Sequence, residues 1–302
     1  MPIIVPADVP ENKHKTFIDN YRIITHESDR LFLFACDQKI EHLHDDFDPI
    51  NRDISPEAID PEHFFKIASQ GRIGALATQL ELIARYGSNY SKIPYIAKLN
   101  GKTNLLRDDS APFSAPLWTV QDVLQLNQEA NFSIAGIGVT IYPGSAYEAE
   151  MMSFAAQMII DAHTHGLIAI IWMYPKGATI ANDLDPHLLA GVAGAANALG
   201  ADFVKIKAPT LAKNHPEPSL LKQVVVAAGN TKVICSGGSH KQPQEFLKEL
   251  HDQLHIGGTA GAAVGRNIFQ YNLAQAVAMT QAISALIYDN KSVEHALKFI
   301  KK

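Results

Sequence analysis

The stretch Ala201-Asp202-Phe203-Val204-Lys205-Ile206-Lys207 reads as a short buried strand that carries two lysines. Residues two apart on a strand point the same way, so Lys205 and Lys207 share one face while Val204 and Ile206 share the other. A buried ammonium is costly unless it is paired, and two together are worse. Such a strand makes sense if one amine has to be neutral and nucleophilic near pH 7, because desolvation and a neighbouring cation both lower its pKa. That chemistry is Schiff-base formation. For a lone Lys-x-Lys the simpler reading is one ion-paired lysine beside one surface lysine, so the surroundings have to decide.

Working outward, short apolar runs rich in β-branched residues recur, each followed by Gly, Pro or Asp and then by a helical period. They predict strands over Leu31–Cys36, Ala75–Thr78, Tyr95–Leu99, Ile134–Ile141, Ile168–Met173, Phe203–Ile206, Lys232–Cys235 and Gly261–Val264. The clearest helical patterns between them cover Ser145–Thr164, His187–Leu199 and Gln242–Gln253. Strands alternating with helices eight times imply an α/β fold of the (β/α)8 TIM-barrel type, whose usual length of about 250 residues leaves room for an N-terminal extension and C-terminal helices. A single barrel domain over residues 1–302, with its core from about 31 to 287, is therefore expected. An open doubly wound sheet is the alternative, but no G-x-G-x-x-G follows the first strand. The irregular stretches Leu43–Asp60 and Leu105–Pro116 read as strand-to-helix loops, which in a barrel lie over the catalytic face.

Bulk properties narrow the function classes. With 47% apolar and 19% charged residues the chain can bury a substantial core, and its net charge of −5 comes without any basic run, so nucleic acid is not an expected partner. The two cysteines, Cys36 and Cys235, each fall inside an apolar strand pattern, which suggests neither a disulfide framework nor a thiolate metal site. The N-terminus lacks a charged segment followed by a long apolar one, and no run of 18 apolar residues occurs. A reducing, cytoplasmic setting with no membrane partner is expected.

In a barrel, polar residues at the C-terminal ends of the strands converge on one mouth. Here these are Asp37 after the first strand, Lys98, Asn100 and Lys102 around the end of the third, Tyr174 and Lys176 after the fifth, Lys205 and Lys207 at the sixth, Ser236-Gly237-Gly238 after the seventh and Gly265-Arg266 after the eighth. Glycine lets backbone approach an anion, and a following helix supplies unpaired N–H groups at a positive dipole end. The loops after strands seven and eight are the frequent phosphate site of barrels. Ser236, Gly237, Gly238 and Gly265 would therefore cradle a phosphate, with Arg266 adding charge-assisted bonds.

Each residue also has a plainer explanation. An Asp after a strand is most often a helix cap or turn former, so the case for Asp37 rests on what it faces. Tyr174 is most often a rim aromatic, although a phenol beside an amine-bound intermediate can move a proton, particularly where nearby cations lower its pKa. His42, His44, Asp45 and Asp46 have loop-like spacing and no complementary second cluster, so they read as a solvated loop rather than a metal centre. His163 and His165 end a helix, where a surface position favoured by the dipole explains them.

Taken in order, Cys36-Asp37-Gln38-Lys39-Ile40-Glu41-His42, Lys98-Leu99-Asn100-Gly101-Lys102-Thr103, Thr140-Ile141-Tyr142-Pro143-Gly144-Ser145, Tyr174-Pro175-Lys176-Gly177, Gly200 to Lys207, Ser236-Gly237-Gly238 and Val264-Gly265-Arg266-Asn267-Ile268-Phe269-Gln270 form a pattern. It resembles the archaeal-type class I fructose-bisphosphate aldolases, the DhnA-type branch of the DeoC/LacD aldolases. The resemblance implies a TIM barrel, Lys205 as the imine-forming lysine, Asp37 and Tyr174 as its acid/base partners, and a phosphate site after strands seven and eight. It implies a small phosphorylated sugar as substrate, a homo-oligomeric state, no cofactor and no metal ligand. Gln38-Lys39 stands where the family usually has His-Gly, Lys176 replaces an Arg, and Ala208-Pro209-Thr210 with an excursion through His215-Pro216 replaces Tyr-Thr-Gly. These departures bear on the distal part of the substrate.

The implied reaction is reversible cleavage of fructose 1,6-bisphosphate to dihydroxyacetone phosphate and glyceraldehyde 3-phosphate, with Asp37 receiving or relaying the C4 hydroxyl proton. Tyr174 then protonates the enamine, while Lys207 keeps Lys205 deprotonated or binds substrate oxygens. A Schiff-base transaldolase or synthase acting on another phosphosugar, and a non-catalytic phosphosugar-binding regulator, are the alternatives.

Overall fold

The strands are apolar on both faces, as a parallel sheet between a filled lumen and an outer shell of helices requires. In the structure, a computed structural model, residues 3–105, 111–212 and 215–301 are described, with the backbone alone at 211, 212, 215 and 216. The strands are β1 (Leu31–Ala35), β2 (Ala75–Gln79), β3 (Pro94–Lys98), β4 (Ser133–Ile141), β5 (Ile168–Met173), β6 (Phe203–Ile206), β7 (Lys232–Ser236) and β8 (Gly261–Val264). Each pairs in parallel with its neighbours in sequence until β8 returns to β1, closing a (β/α)8 barrel. All eight strands lie where the sequence pattern places them. The three clearest helices run over Glu148–Thr164, Pro186–Ala198 and Pro243–His255. The first starts later than its apolar period because Tyr142 to Ser145 closes a turn, with the Ser145 N–H donating to the Tyr142 carbonyl at 3.1 Å.

Strand alternation fills the lumen. Leu31 and Leu33, Ala75 and Ala77, Ile168, Ile170 and Trp172, Phe203, Ile234 and Ala263 all point inward into one buried cluster. Below it the helix His14–Thr25 stoppers the barrel with Phe17, Tyr21 and Ile24, and Tyr21 stacks on Phe203 at 5.5 Å between ring centroids. Each such side chain contributes about 1.5–3 kcal/mol on burial, so the floor of the barrel is a firm apolar base. Going up the lumen, the same parity places Lys98 above Ile96 and Lys205 above Phe203, and both lysines are buried. Beside Lys98, in register with it, β4 carries Gly138, where an added Cβ would lie 2.4 Å from Trp172 Cζ3 and 3.1 Å from Lys98 Cδ. The missing side chain leaves the space that Trp172 and Lys98 fill.

Two sequence readings change here. His163 is fully buried rather than a surface helix end. Its Nδ1 lies 2.9 Å from Asp8 Oδ2 and its Nε2 3.3 Å from Asp202 Oδ2. Burial alone would lower its pKa, but the two carboxylates outweigh it and raise the ring to about 8. These partners come from the N-terminal extension and from the residue before β6. The loop around Asp46 also differs: Asp46 is buried, not solvated, and is hydrogen-bonded to His42.

The stretch 43–60 is mostly irregular and holds one short turn of helix, Pro56–Ile59. Within Leu105–Pro116, residues 106–110 lie outside the described residues, and Ala115–Pro116 pairs with Asn100–Gly101. The excursion after Lys207 forms a small antiparallel ladder between Thr210–Ala212 and His215–Pro216. Cys36 and Cys235 are buried and unpaired, and among the described residues no helix is long and apolar enough to cross a membrane.

Candidate active site at the barrel mouth

The upper end of the lumen opens into a cavity of about 710 Å³, within the usual range for a small-molecule site. Asp37, Tyr174, Lys205, Lys207, Ser236, Gly237, Gly238, Gly265 and Arg266 all line it, so the structure brings together the residues given catalytic or phosphate-binding roles, whereas Lys98, Asn100 and Lys102 from the third strand end are not part of the lining.

Lys205 is buried, with its amine 5.2 Å from the Trp172 ring centroid and 5.9 Å from that of Tyr174. Burial lowers its pKa to about 8; Asp37 works against this and Lys98 with it. A useful fraction of the amine is therefore neutral near pH 7, which is what nucleophilic attack on a carbonyl needs. The lowering cations are Lys98 and, more weakly, Arg266, not Lys207. Lys207 lies just past the end of β6, is half-exposed and pairs with Asp183 at 2.5 Å, so its expected influence on Lys205 is not found, while its place on the cavity wall is. Lys98 is fully buried, donates to Thr140 Oγ1, sits 4.4 Å from the Trp172 ring centroid and lies 3.5 Å from Asp37 Oδ2.

Asp37 occupies the N-cap position of the short helix Gln38–Glu41, yet its side chain makes no capping bond. The carboxylate turns to the two lysines instead. Burial pushes its pKa up, but Lys205 and Lys98 outweigh burial and hold the group below its ordinary value. Asp37 is thereby kept ionised, the form a proton acceptor needs. Tyr174 departs from the expectation that nearby cations lower its pKa. Burial raises its pKa well above 10.0, Asp37 and Glu41 raise it further, and Arg266 only partly opposes them. The phenol thus stays protonated and can serve as an acid.

At the phosphate end, Gly238 has φ +70° and open space where a Cβ would stand; that left-handed backbone favours glycine. The helix Pro243–His255 starts five residues later, so after β7 the expected helix N-terminus does not open directly on the glycines. Asn267 joins the two turns. Its amide nitrogen donates to the Gly237 and Ser239 carbonyls, both at 2.9 Å, and its oxygen accepts from the Lys241 N–H at 2.8 Å. Arg266 lies 3.6 Å from the buried Asp46, which also binds His42 and sits 3.9 Å from Arg52. Among the described residues no group of three or more His, Cys, Asp or Glu is arranged to hold a metal ion.

Sequence reasoning named Lys98 as a mouth residue without giving it a role, read Asp46 as solvated loop, and gave no role to Trp172, Asn267 or Glu41. The available signals were inward parity for Trp172, two residues before Tyr174, and the four-residue spacing of Asp37 and Glu41 on one helical face.

Residues 31–271 match the family model described as DeoC/LacD family aldolase. A relative from Methanocaldococcus jannaschii, named fructose-bisphosphate aldolase/6-deoxy-5-ketofructose 1-phosphate synthase, is 48% identical over 97% of this chain and 93% of its own. A solved fructose-bisphosphate aldolase from Slackia heliotrinireducens superposes with a TM-score of 0.95 at 43% identity, covering 99% of this chain and 94% of that one. An archaeal fructose-1,6-bisphosphate aldolase, solved with its catalytic Lys covalently bound to the carbinolamine intermediate of the substrate, has a TM-score of 0.76 at 30% identity, covering 90% of this chain and 99% of that one.

Proposed function

This chain belongs to the DeoC/LacD family of aldolases, and we propose that it is a class I enzyme that cleaves fructose 1,6-bisphosphate reversibly to dihydroxyacetone phosphate and glyceraldehyde 3-phosphate through an imine on Lys205. The observation that carries the proposal is a buried amine of lowered pKa, facing an ionised carboxylate and a protonated phenol, at the mouth of a barrel whose two glycine turns line the same cavity.

Neutral Lys205 attacks C2, water leaves, and the iminium accepts the electron pair of the breaking C3–C4 bond. That electron sink does the work a Lewis-acidic metal does by polarising a carbonyl. Asp37, ionised at rest, stabilises the iminium, a stronger effect in a buried site than in water, and receives or relays the C4 hydroxyl proton as the new aldehyde carbonyl forms. Tyr174 then protonates C3 of the enamine, and hydrolysis frees Lys205. Incubation with fructose 1,6-bisphosphate should release both trioses at a rate unchanged by exhaustive chelation. Activity lost on chelation and restored by Zn²⁺ would overturn the imine route, and a protein that binds the sugar without turnover would be a regulator.

The same enamine can attack a different aldehyde, and the relative with both activities in its name favours that second reading. Cutting 6-deoxy-5-ketofructose 1-phosphate between C3 and C4 leaves dihydroxyacetone phosphate and an aldehyde with a C5 ketone and a C6 methyl, 2-oxopropanal. Adding 2-oxopropanal to the assay should divert the enamine to that product if this activity is shared.

We assign the phosphate next to the ketose carbonyl to Ser236–Gly238, Gly265 and Arg266. Arg266→Ala would remove a charge-assisted contact worth about 1.5–3 kcal/mol, a loss of roughly ten- to a hundredfold in kcat/KM. The loss should fall on 1-phosphorylated ketoses and largely vanish for fructose 6-phosphate. An equal loss on both substrates would remove Arg266 from phosphate binding.

A further inference from the structure

Behind the wall of the mouth, in the stretch 43–60 that follows β1, Asp46 is buried with its carboxylate among three basic side chains. Its Oδ2 accepts from His42 Nδ1, while Oδ1 faces Arg266 Nη1 at 3.6 Å and Arg52 Nη1 at 3.9 Å. His42 and Arg266 line the Lys205 cavity, and Asp46 does not. Any effect of Asp46 on a bound sugar therefore passes through those neighbours.

Taking a carboxylate out of water is costly, and the loop does not need this one to stay in place. Phe47 stacks on Phe269 of the short helix Arg266–Phe269, with 5.1 Å between ring centroids. The Gln270 side-chain amide donates to the Asp46 backbone carbonyl at 2.8 Å, and the Ser55 N–H donates to the Gln270 carbonyl at 2.8 Å. These contacts fasten the loop to the turn after β8, which leaves the carboxylate free to act on side chains.

We propose that Asp46 is the positioning residue of Arg266, holding one edge of the guanidinium from behind the cavity wall so that its other edge faces the phosphate next to the ketose carbonyl. The inference rests on the assignment of that phosphate to the turns after β7 and β8. A guanidinium is a planar fork of several N–H donors, so it can meet a carboxylate on one edge and a phosphate on the other, which a single ammonium cannot do. An arginine already held in place has less rotamer freedom left to lose when the substrate arrives. Burial pushes the Asp46 pKa up, but the His42 hydrogen bond, Arg266 and Arg52 outweigh it and hold the carboxyl below its ordinary value, so the negative anchor persists at neutral pH. His42 closes the helix Gln38–Glu41, whose first turn starts at Asp37, so the same carboxylate also ties Arg266 to the element that carries Asp37.

A double-mutant cycle, read with fructose 1,6-bisphosphate and with fructose 6-phosphate, tests the coupling. Asp46→Asn keeps the size of the side chain and an acceptor for His42 but removes the charge that holds Arg266. On fructose 1,6-bisphosphate it should lower kcat/KM by roughly three- to thirtyfold, chiefly through KM, and the loss should largely vanish on fructose 6-phosphate. In an Arg266→Ala background the same substitution should cost nothing more, because the group through which Asp46 acts is gone. A residue that merely supports the loop would give the same added loss in both backgrounds and on both substrates. That result, or a wild-type KM in Asp46→Asn, would overturn the proposal. Arg266→Lys gives a second readout that leaves Asp46 in place. Its one ammonium has to be divided between Asp46 and the phosphate, so kcat/KM on fructose 1,6-bisphosphate should fall by roughly threefold or more, and full activity would equally overturn the proposal. If Arg266→Ala by itself loses equally on both substrates, the phosphate assignment falls, a result distinct from failure of Asp46 alone.

Discussion

Lys205→Met should abolish aldol cleavage, with a loss of roughly 10⁴–10⁶-fold, the scale on which removal of a covalent nucleophile falls. Methionine nearly preserves the length and apolar stem of lysine, and the position is buried beside Trp172, so the barrel should keep its packing. In the wild-type protein, borohydride added with dihydroxyacetone phosphate should leave a mass adduct on the peptide containing Lys205 and on no other. The pH dependence follows from the neutral amine being the nucleophile. With a pKa of about 8, the fraction of neutral amine and with it kcat/KM rises with pH and levels off above that value. Lys98→Met, which removes the cation that helps lower it, should move this limb to higher pH. An adduct on Lys98 or Lys207, or a Lys205→Met protein that still cleaves, would move the imine elsewhere.

How much of this was legible in the sequence depends on how local the signal is. The eight strands were, because burial on both faces writes each of them as a continuous apolar run. Lys205 was also readable, since its inward direction follows from parity with Phe203 on a strand four residues long. Asp37, Tyr174, Ser236, Gly237, Gly238, Gly265 and Arg266 followed from counting to the end of each strand. What stayed hidden was the identity of partners brought in from a distance. His163 reads as a surface helix end until Asp8 and Asp202 arrive from the N-terminal extension and the start of β6. Asp46 reads as loop until Arg266 and His42 close on it. Lys207 shares parity with Lys205, but Asp183, 24 positions earlier, claims its amine. The same effect decides which lysine tunes Lys205, because Lys98 comes from a strand more than 100 residues away and meets it across Trp172.

Tyr174→Phe should lower cleavage kcat by roughly 10²–10⁴-fold and should also stop exchange of the C3 proton of dihydroxyacetone phosphate. The phenol follows β5 two residues after Trp172, and its ring lies 5.9 Å from the Lys205 amine, within reach of a carbon two bonds from the imine nitrogen. Burial and the nearby carboxylates hold it in the protonated form, so it can give a proton to the enamine across the whole working range without a titration of its own. A cation-lowered phenol would behave differently, adding a fall in rate on the alkaline side. The imine should still form in Tyr174→Phe, because Asp37 and Lys98, which set the state of Lys205, are left in place. Borohydride trapping at wild-type yield with exchange abolished would place Tyr174 at the enamine carbon. Wild-type exchange in Tyr174→Phe would leave C3 to a different acid and remove the phenol from the reaction.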